Sequence, residues 1–263
     1  MSADDINNGD SGLDKDEGRD EVFSRPLSEV RAFEFNETVT RVFQDMISRS
    51  VPGYALLLRM IGLYASIFTQ PNSRVYDLGC SLGEASLVIA DQIADLNVDQ
   101  DAVVDCDIIA VDSSAAMIDK CRQHPVTSPP IDWRCEDIRH TDINKASIVV
   151  LNLTLQFLPP DERSALLQKI FDGMNPGGIL VLSEKIVFAD AAQNERMQQL
   201  YLGFKKTMGY SDLEISQKRN ALENVLIPDN EQQHEERMRK AGFSEIYQCF
   251  RGFNFVSYLA IKS

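Results

Sequence analysis

Arg74-Val75-Tyr76-Asp77-Leu78-Gly79-Cys80-Ser81-Leu82-Gly83-Glu84 passes from a short apolar run through two glycines into a helix-forming segment. Arg74 to Asp77 predicts a strand, and Glu84 to Asp95 predicts the helix that follows it. Where a strand ends and a helix begins, backbone N–H groups point outward without partners. Glycine lets a ligand approach them closely. The turn at 77–83 therefore reads as a ligand cradle, with Gly79, Cys80 and Ser81 at its centre. Its acidic first residue, Asp77, would repel a pyrophosphate and suits a ligand that carries an ammonium group.

Further along the chain the same alternation repeats. Ile108 to Asp112 predicts a second strand and Ser114 to Gln123 its helix, with residues 95–107 as an extended loop. Asp132 to Cys135 predicts a third strand, Ser147 to Asn152 a fourth, a helix spans Pro160 to Met174, and Gly178 to Ser183 predicts a fifth strand. Continuous β-branched strands separated by helices indicate a parallel sheet covered on both faces. Two closing runs, Glu245 to Phe250 and Phe253 to Ile261, predict an antiparallel pair turning at Arg251-Gly252.

Upstream, Val39, Val42, Phe43, Met46 and Ile47 share one face of a helix capped by Asn36, and Pro52-Gly53 separates it from a second apolar helix over 55–68. Residues 1–22 are acidic and poor in large apolar groups, which predicts a disordered tail. The rest, 23–263, reads as one domain with N-terminal helices at 23–70 and a polar helical cap at 190–241.

A net charge of −14 argues against a chain that wraps phosphate backbones, so direct nucleic-acid binding is not expected. Five cysteines without a C-x-x-C pair, and three histidines without H-x-x-x-H spacing, argue against zinc and for reduced thiols. No apolar run reaches the ~20 residues needed to cross a bilayer, and no secretory signal opens the chain. The expectation is a cytoplasmic protein without membrane association. His124, His140 and His234 read as exposed loop or helix residues.

Four polar features fall at successive strand ends. After the glycine turn comes Asp112, with Ser113 beside it, placed to accept hydrogen bonds from ribose hydroxyls. Glu136-Asp137-Ile138 follows the third strand; Asp137 suits an adenine amine and Ile138 the ring face. Asn152 ends an otherwise apolar strand at the crevice side of the sheet. That order is the one a nucleoside site requires.

At these residues, and at Asn175-Pro176-Gly177-Gly178, the chain resembles class I S-adenosylmethionine-dependent methyltransferases. Ser81 stands where that superfamily usually has the middle glycine of the turn. More narrowly, Ser50 to Tyr54, Val75 to Gly83, Val149 to Leu158, Leu182 to Lys185 and Gly209 to Asn224 resemble the carboxy-S-adenosyl-L-methionine synthase family, over roughly residues 25–263. The resemblance implies an α/β, Rossmann-like class I methyltransferase fold. Its sheet would be mostly parallel and seven-stranded, with an antiparallel C-terminal strand and helices on both faces.

It further implies that S-adenosyl-L-methionine is a substrate, bound without a metal, and that prephenate is the second substrate. The products would be carboxy-S-adenosyl-L-methionine and phenylpyruvate, the former serving a separate enzyme that carboxymethylates wobble uridine in tRNA. Prephenate aromatisation releases carbon dioxide and hydroxide, so no protein base is required to take the sulfonium methyl proton. The resemblance places Arg219 on the product carboxylate, reaching the partner's site in a homodimer, and the Tyr54 hydroxyl near the methionine portion. A conventional methyltransferase acting on a small carboxylic acid is the alternative.

Overall fold

The computed structural model describes residues 18–27, 32–99 and 105–263. Strands β1 (Ser73–Leu78), β2 (Cys106–Asp112), β3 (Ile131–Cys135), β4 (Ala146–Asn152) and β5 (Met174–Lys185) run parallel. With β6 (Glu245–Gly252) and β7 (Phe255–Ile261) they form one seven-stranded sheet in the order β3-β2-β1-β4-β5-β7-β6. β7 is the reversed strand, antiparallel to both β5 and β6.

Period-two alternation sends each strand's apolar residues to opposite faces. Val75, Ile108, Ile148, Val150 and Ile179 pack against α2 (Tyr54–Phe68) and α3 (Glu84–Asp99) through Ile61, Ala65, Ile89 and Ile93. Tyr76, Val111, Val149, Leu151 and Leu180 pack the other face against α5 (Arg163–Gly173) and α8 (Glu231–Ala241) through Leu166, Ile170 and Met238. Each such aliphatic side chain, fully buried, contributes ~1.5–3 kcal/mol.

The chain runs from β1 outward to β3 and then returns to place β4 on the other side of β1. At this switch point the connections that leave β1 and β4 run to opposite faces of the sheet, and a crevice opens at the carboxyl ends of the strands. α1 (Glu37–Ser50) lies beside it; Asn36 caps it by accepting from the Thr38 and Val39 amides, and Val39, Phe43 and Met46 are its buried stripe. Ser114 caps α4 (Ala115–Cys121) by accepting from the Met117 amide.

The structure departs from the sequence reading in four places. α3 continues to Asp99, into the stretch expected to be loop; residues 100–104 lie outside the described residues. The hairpin turns at Phe253-Asn254, and Arg251-Gly252 lie inside β6, paired with Val256 and Phe255. Of the expected cap, α6 (Ala191–Thr207) and α7 (Asp212–Leu222) roof the crevice, but α8 belongs to the core. Residues 1–17 of the expected acidic tail lie outside the described residues, and Asp20, within the remainder of that stretch, is only 2% exposed.

Candidate active site

The cradle is built by two glycines in the left-handed region, Gly79 (φ +83) and Gly83 (φ +79). A Cβ on Gly79 would lie 2.3–2.9 Å from Thr154, which follows β4, so the two strand ends meet at that glycine. A Cβ on Gly83 would lie 2.4 Å from the Trp133 ring. Ser81 also takes a positive φ of 50, and its amide donates to Asp112 Oδ2 at 2.9 Å. Asp112 Oδ1 accepts from the Ser114 amide at 2.8 Å. The Asp112 carboxylate is thus fixed across the turn, with lone pairs left over for ligand hydroxyls. Burial raises its pKa, opposed by the amides of Ser114, Ser81 and Ser113.

Above the turn lies a cavity of about 730 Å³, within the size range of small-molecule sites. Gly79, Ser81, Asp112, Ser113, Asp137, Ile138, Asn152 and Arg219 line it, bringing together most of the residues singled out in the sequence. Asn152 Oδ1 is buried without a partner, an arrangement that a ligand donor would satisfy. Asp137 is gripped by the Arg139 guanidinium, at 2.9 and 3.0 Å from Nε, and this contact pulls its carboxyl down to about 2.

Three expected site residues do not line the cavity. Asp77 is 1% exposed, accepts from Ser86 Oγ at 2.6 Å, and is pushed up to about 6 by burial. Cys80 is buried beside Cys121 and Asp77, mostly by packing with Ala110 and Ile118. The Tyr54 hydroxyl donates to Glu84 Oε2 at 2.7 Å, and burial together with Glu84 keeps its phenol protonated. These side chains shape the turn from behind.

Other lining groups escaped the sequence reading. Phe33, Phe35, Phe43 and Phe157 form an apolar wall, with Phe35 centred 5.2, 6.1 and 5.4 Å from Phe33, Phe43 and Phe157. Lys185 at the end of β5, Lys205 on α6 and Lys218 on α7 join Arg219 in the roof. Lys218 is paired, donating to Ser50 Oγ at 3.0 Å and lying 3.6 Å from Asp20. Asp20 also accepts from the Tyr210 hydroxyl at 2.6 Å. Gln217 donates to the Phe23 and Arg25 carbonyls at 2.9 Å each, which buckles residues 20–27 onto α7. Behind the wall, Glu184 is fully buried and accepts from the Leu155 and Gln156 amides, holding the turn after β4.

No histidine lines the cavity. His140 is exposed and His124 half-buried, but His234 is 1% exposed inside α8 against Tyr258, and burial lowers it to about 4. The expectation of an exposed residue fails there because α8 packs into the core. Among the described residues no cluster of His, Cys, Asp or Glu could hold a metal, and no single helix is long and apolar enough to cross a membrane.

The acidic strand end at Asp112, the glycine cradle and the orphaned Asn152 Oδ1 fit S-adenosylmethionine. The family described as a methyltransferase domain matches residues 75–178. Human N-acetylserotonin methyltransferase, solved in complex with S-adenosylmethionine, superposes with a TM-score of 0.57 at 17% identity, covering 92% of this chain and 61% of that one. The carboxy-S-adenosyl-L-methionine synthase of Vibrio vulnificus is 49% identical over 246 residues, 92% of this chain and 97% of the relative. That of Shewanella putrefaciens is 48% identical over 247 residues, 93% and 98% of the two chains. With this likeness spanning nearly the whole length, the chain belongs to the carboxy-S-adenosyl-L-methionine synthase family.

Proposed function

We propose that the chain converts S-adenosyl-L-methionine and prephenate to carboxy-S-adenosyl-L-methionine and phenylpyruvate, and that the product feeds tRNA wobble-uridine modification by a separate enzyme. The carrying observation is Arg219. In a chain of net charge −14, this guanidinium lines the cavity and makes no ion pair among the described residues. A planar guanidinium can donate two parallel hydrogen bonds to a carboxylate.

S-adenosylmethionine supplies a methyl made acidic by its sulfonium, and prephenate supplies the carbon dioxide and the hydroxide that takes the proton. The protein's part is to bind, align and keep dry. The 79–83 turn and Asn152 hold the amino-acid end, Asp112 holds the nucleoside end, and Arg219 holds the carboxylate that is transferred. The phenylalanine wall excludes bulk water, which would otherwise compete for the reacting groups. Alignment and a dry site can each supply several kcal/mol.

Arg219 lines the cavity of its own chain; in the homodimer that the resemblance implies, it would reach the partner's site. A homodimer remains part of the proposal: Leu56, Leu63 and Ile67 leave an apolar stripe exposed on α2 that a second copy would cover. A cytoplasmic setting is supported by five unpaired thiols.

The test is the mass of the product formed from S-adenosylmethionine and prephenate. A species heavier than S-adenosylmethionine by one carbon dioxide supports the reading. Transfer of an intact methyl to an acceptor, or no carboxylated product, refutes it. Arg219→Ala should cost ~2–5 kcal/mol in kcat/KM for prephenate, as for loss of one partner of a desolvated charge pair.

A further inference from the structure

Five cations line one cavity in a chain with 40 acidic residues, and they are not equivalent; Arg139 is already paired with Asp137 and Glu162. Lys218 has its counter-charge in Asp20. Lys185, Lys205 and Arg219 make no ion pair among the described residues. The Lys185 and Lys205 ammonium groups sit 5.1 and 5.2 Å from the centre of the same ring, Tyr201, which is itself 8% exposed.

Two features of this arrangement point to a ligand. Lys205 is buried and Lys185 half-buried; such charges without partners are costly, and an aromatic face offsets only a fraction of that cost. Burial and the neighbouring cations push Lys205 down to about 7, and burial and Arg219 lower Lys185. Helix α6 puts Lys205 one turn after Tyr201 on its inner face, and adjacent Lys206 shows the solvent-facing alternative. It points outward, 53% exposed, and pairs with Asp212 at 2.6 Å, whereas Lys205 turns inward at 6%.

We propose that Lys185 and Lys205 form a second anion subsite, which holds the carboxylate that stays on the departing keto acid while Arg219 holds the carboxylate that is transferred. The proposal rests on the reaction given above. Prephenate carries two carboxylates with different fates: one leaves as carbon dioxide, and the other remains on phenylpyruvate. One guanidinium cannot hold both and still release them separately. Two ammonium groups on the flexible stems of a strand end and a helix suit the invariant carboxylate, since lysine acts as a point charge without a fixed fork. Phenylpyruvate is then recognised by the same pair.

The experiment compares Lys185→Met and Lys205→Met with the surface control Lys206→Met, reading prephenate KM and, by calorimetry, the affinities for phenylpyruvate and S-adenosylmethionine. Each interior substitution should raise the prephenate KM and weaken phenylpyruvate by about tenfold or more. S-adenosylmethionine affinity should stay within about twofold, and Lys205→Arg should restore most of the phenylpyruvate affinity. Phenylpyruvate affinity unchanged in both variants overturns the subsite. So does equal competition by phenylpyruvate and its uncharged amide against prephenate in the unaltered enzyme, a measurement that stands if a variant fails to fold. Lysine-dependent phenylpyruvate binding without carboxylated product would overturn the reaction and leave the subsite. Turnover with KM untouched by both substitutions would overturn the subsite alone.

Discussion

Gly79→Ala tests whether the β1 turn and the β4 end are one mechanical unit. The new Cβ would lie 2.3 Å from Thr154 Cγ2, 2.5 Å from its Oγ1 and 2.9 Å from its Cβ, at a φ of +83. The backbone strain costs ~1–2 kcal/mol for a residue with a Cβ, and the overlap adds ~1–3 kcal/mol as overpacking. Thr154 cannot simply withdraw. The next two amides, Leu155 and Gln156, donate to buried Glu184 at 2.8 and 2.9 Å. Relief must therefore come from the turn itself, which carries Ser81 and, through its amide, Asp112. Urea denaturation should show a loss of about 2–5 kcal/mol, and calorimetry a fall of at least about tenfold in S-adenosylmethionine affinity, worth ~1.4 kcal/mol. Thr154→Gly removes all three clashing atoms, so a double-mutant cycle should return a favourable coupling of ~1–3 kcal/mol. A single-variant cost below ~0.5 kcal/mol, or a coupling near zero, would show that the two strand ends do not constrain each other.

Three shorter predictions follow from the same site. Asp77 holds its proton up to about 6 in the fold against an ordinary 3.8, so the folded state binds the proton more tightly and stability falls as pH rises through that window. Asp77→Asn should therefore gain on the wild type by roughly 1–3 kcal/mol between pH 4 and pH 7; a stability difference that stays flat with pH counts against the burial argument. Asn152→Ala removes a buried acceptor with no partner, so unfolding stability should change little while S-adenosylmethionine affinity drops by ~1–3 kcal/mol. A parallel loss of both would mean the side chain is structural. Ser81→Gly should shift stability by no more than ~1 kcal/mol, because relief of the left-handed strain is offset by the freer unfolded chain. A larger loss in thermal or urea unfolding would give the Ser81 side chain a role that its amide contact to Asp112 does not explain.

What could be read from the sequence, and what could not, divides along local and tertiary lines. β2 and β4 were legible because each carries an apolar run rich in β-branched residues, and Asn36 declared its helix by the chemistry of a cap. Gly79 and Asp112 were legible because a strand end next to a helix start has the same needs in any such fold. The roof was not. Phe204-Lys205-Lys206-Thr207 alone does not say which lysine turns inward: Lys205 shares its helix face with Tyr201, but that this face meets Lys185 of β5 and the cavity is a tertiary fact. Asp20 looked like one more charge of an acidic tail until Lys218 and Tyr210 met it. The net charge of −14 was sound evidence against a polyanion wrapped on the surface, but it is silent about a dianion inside. Surface carboxylates act through water and salt, which damp their field over ~8 Å. Half-buried Lys185 and buried Lys205 act at contact range in a cavity with a low-dielectric wall, where each charge is felt several-fold more strongly. An acidic exterior and a cationic pocket are therefore compatible. The exterior slows the arrival of a dicarboxylate, and the pocket decides whether it stays; raising ionic strength should speed the first while changing the second far less.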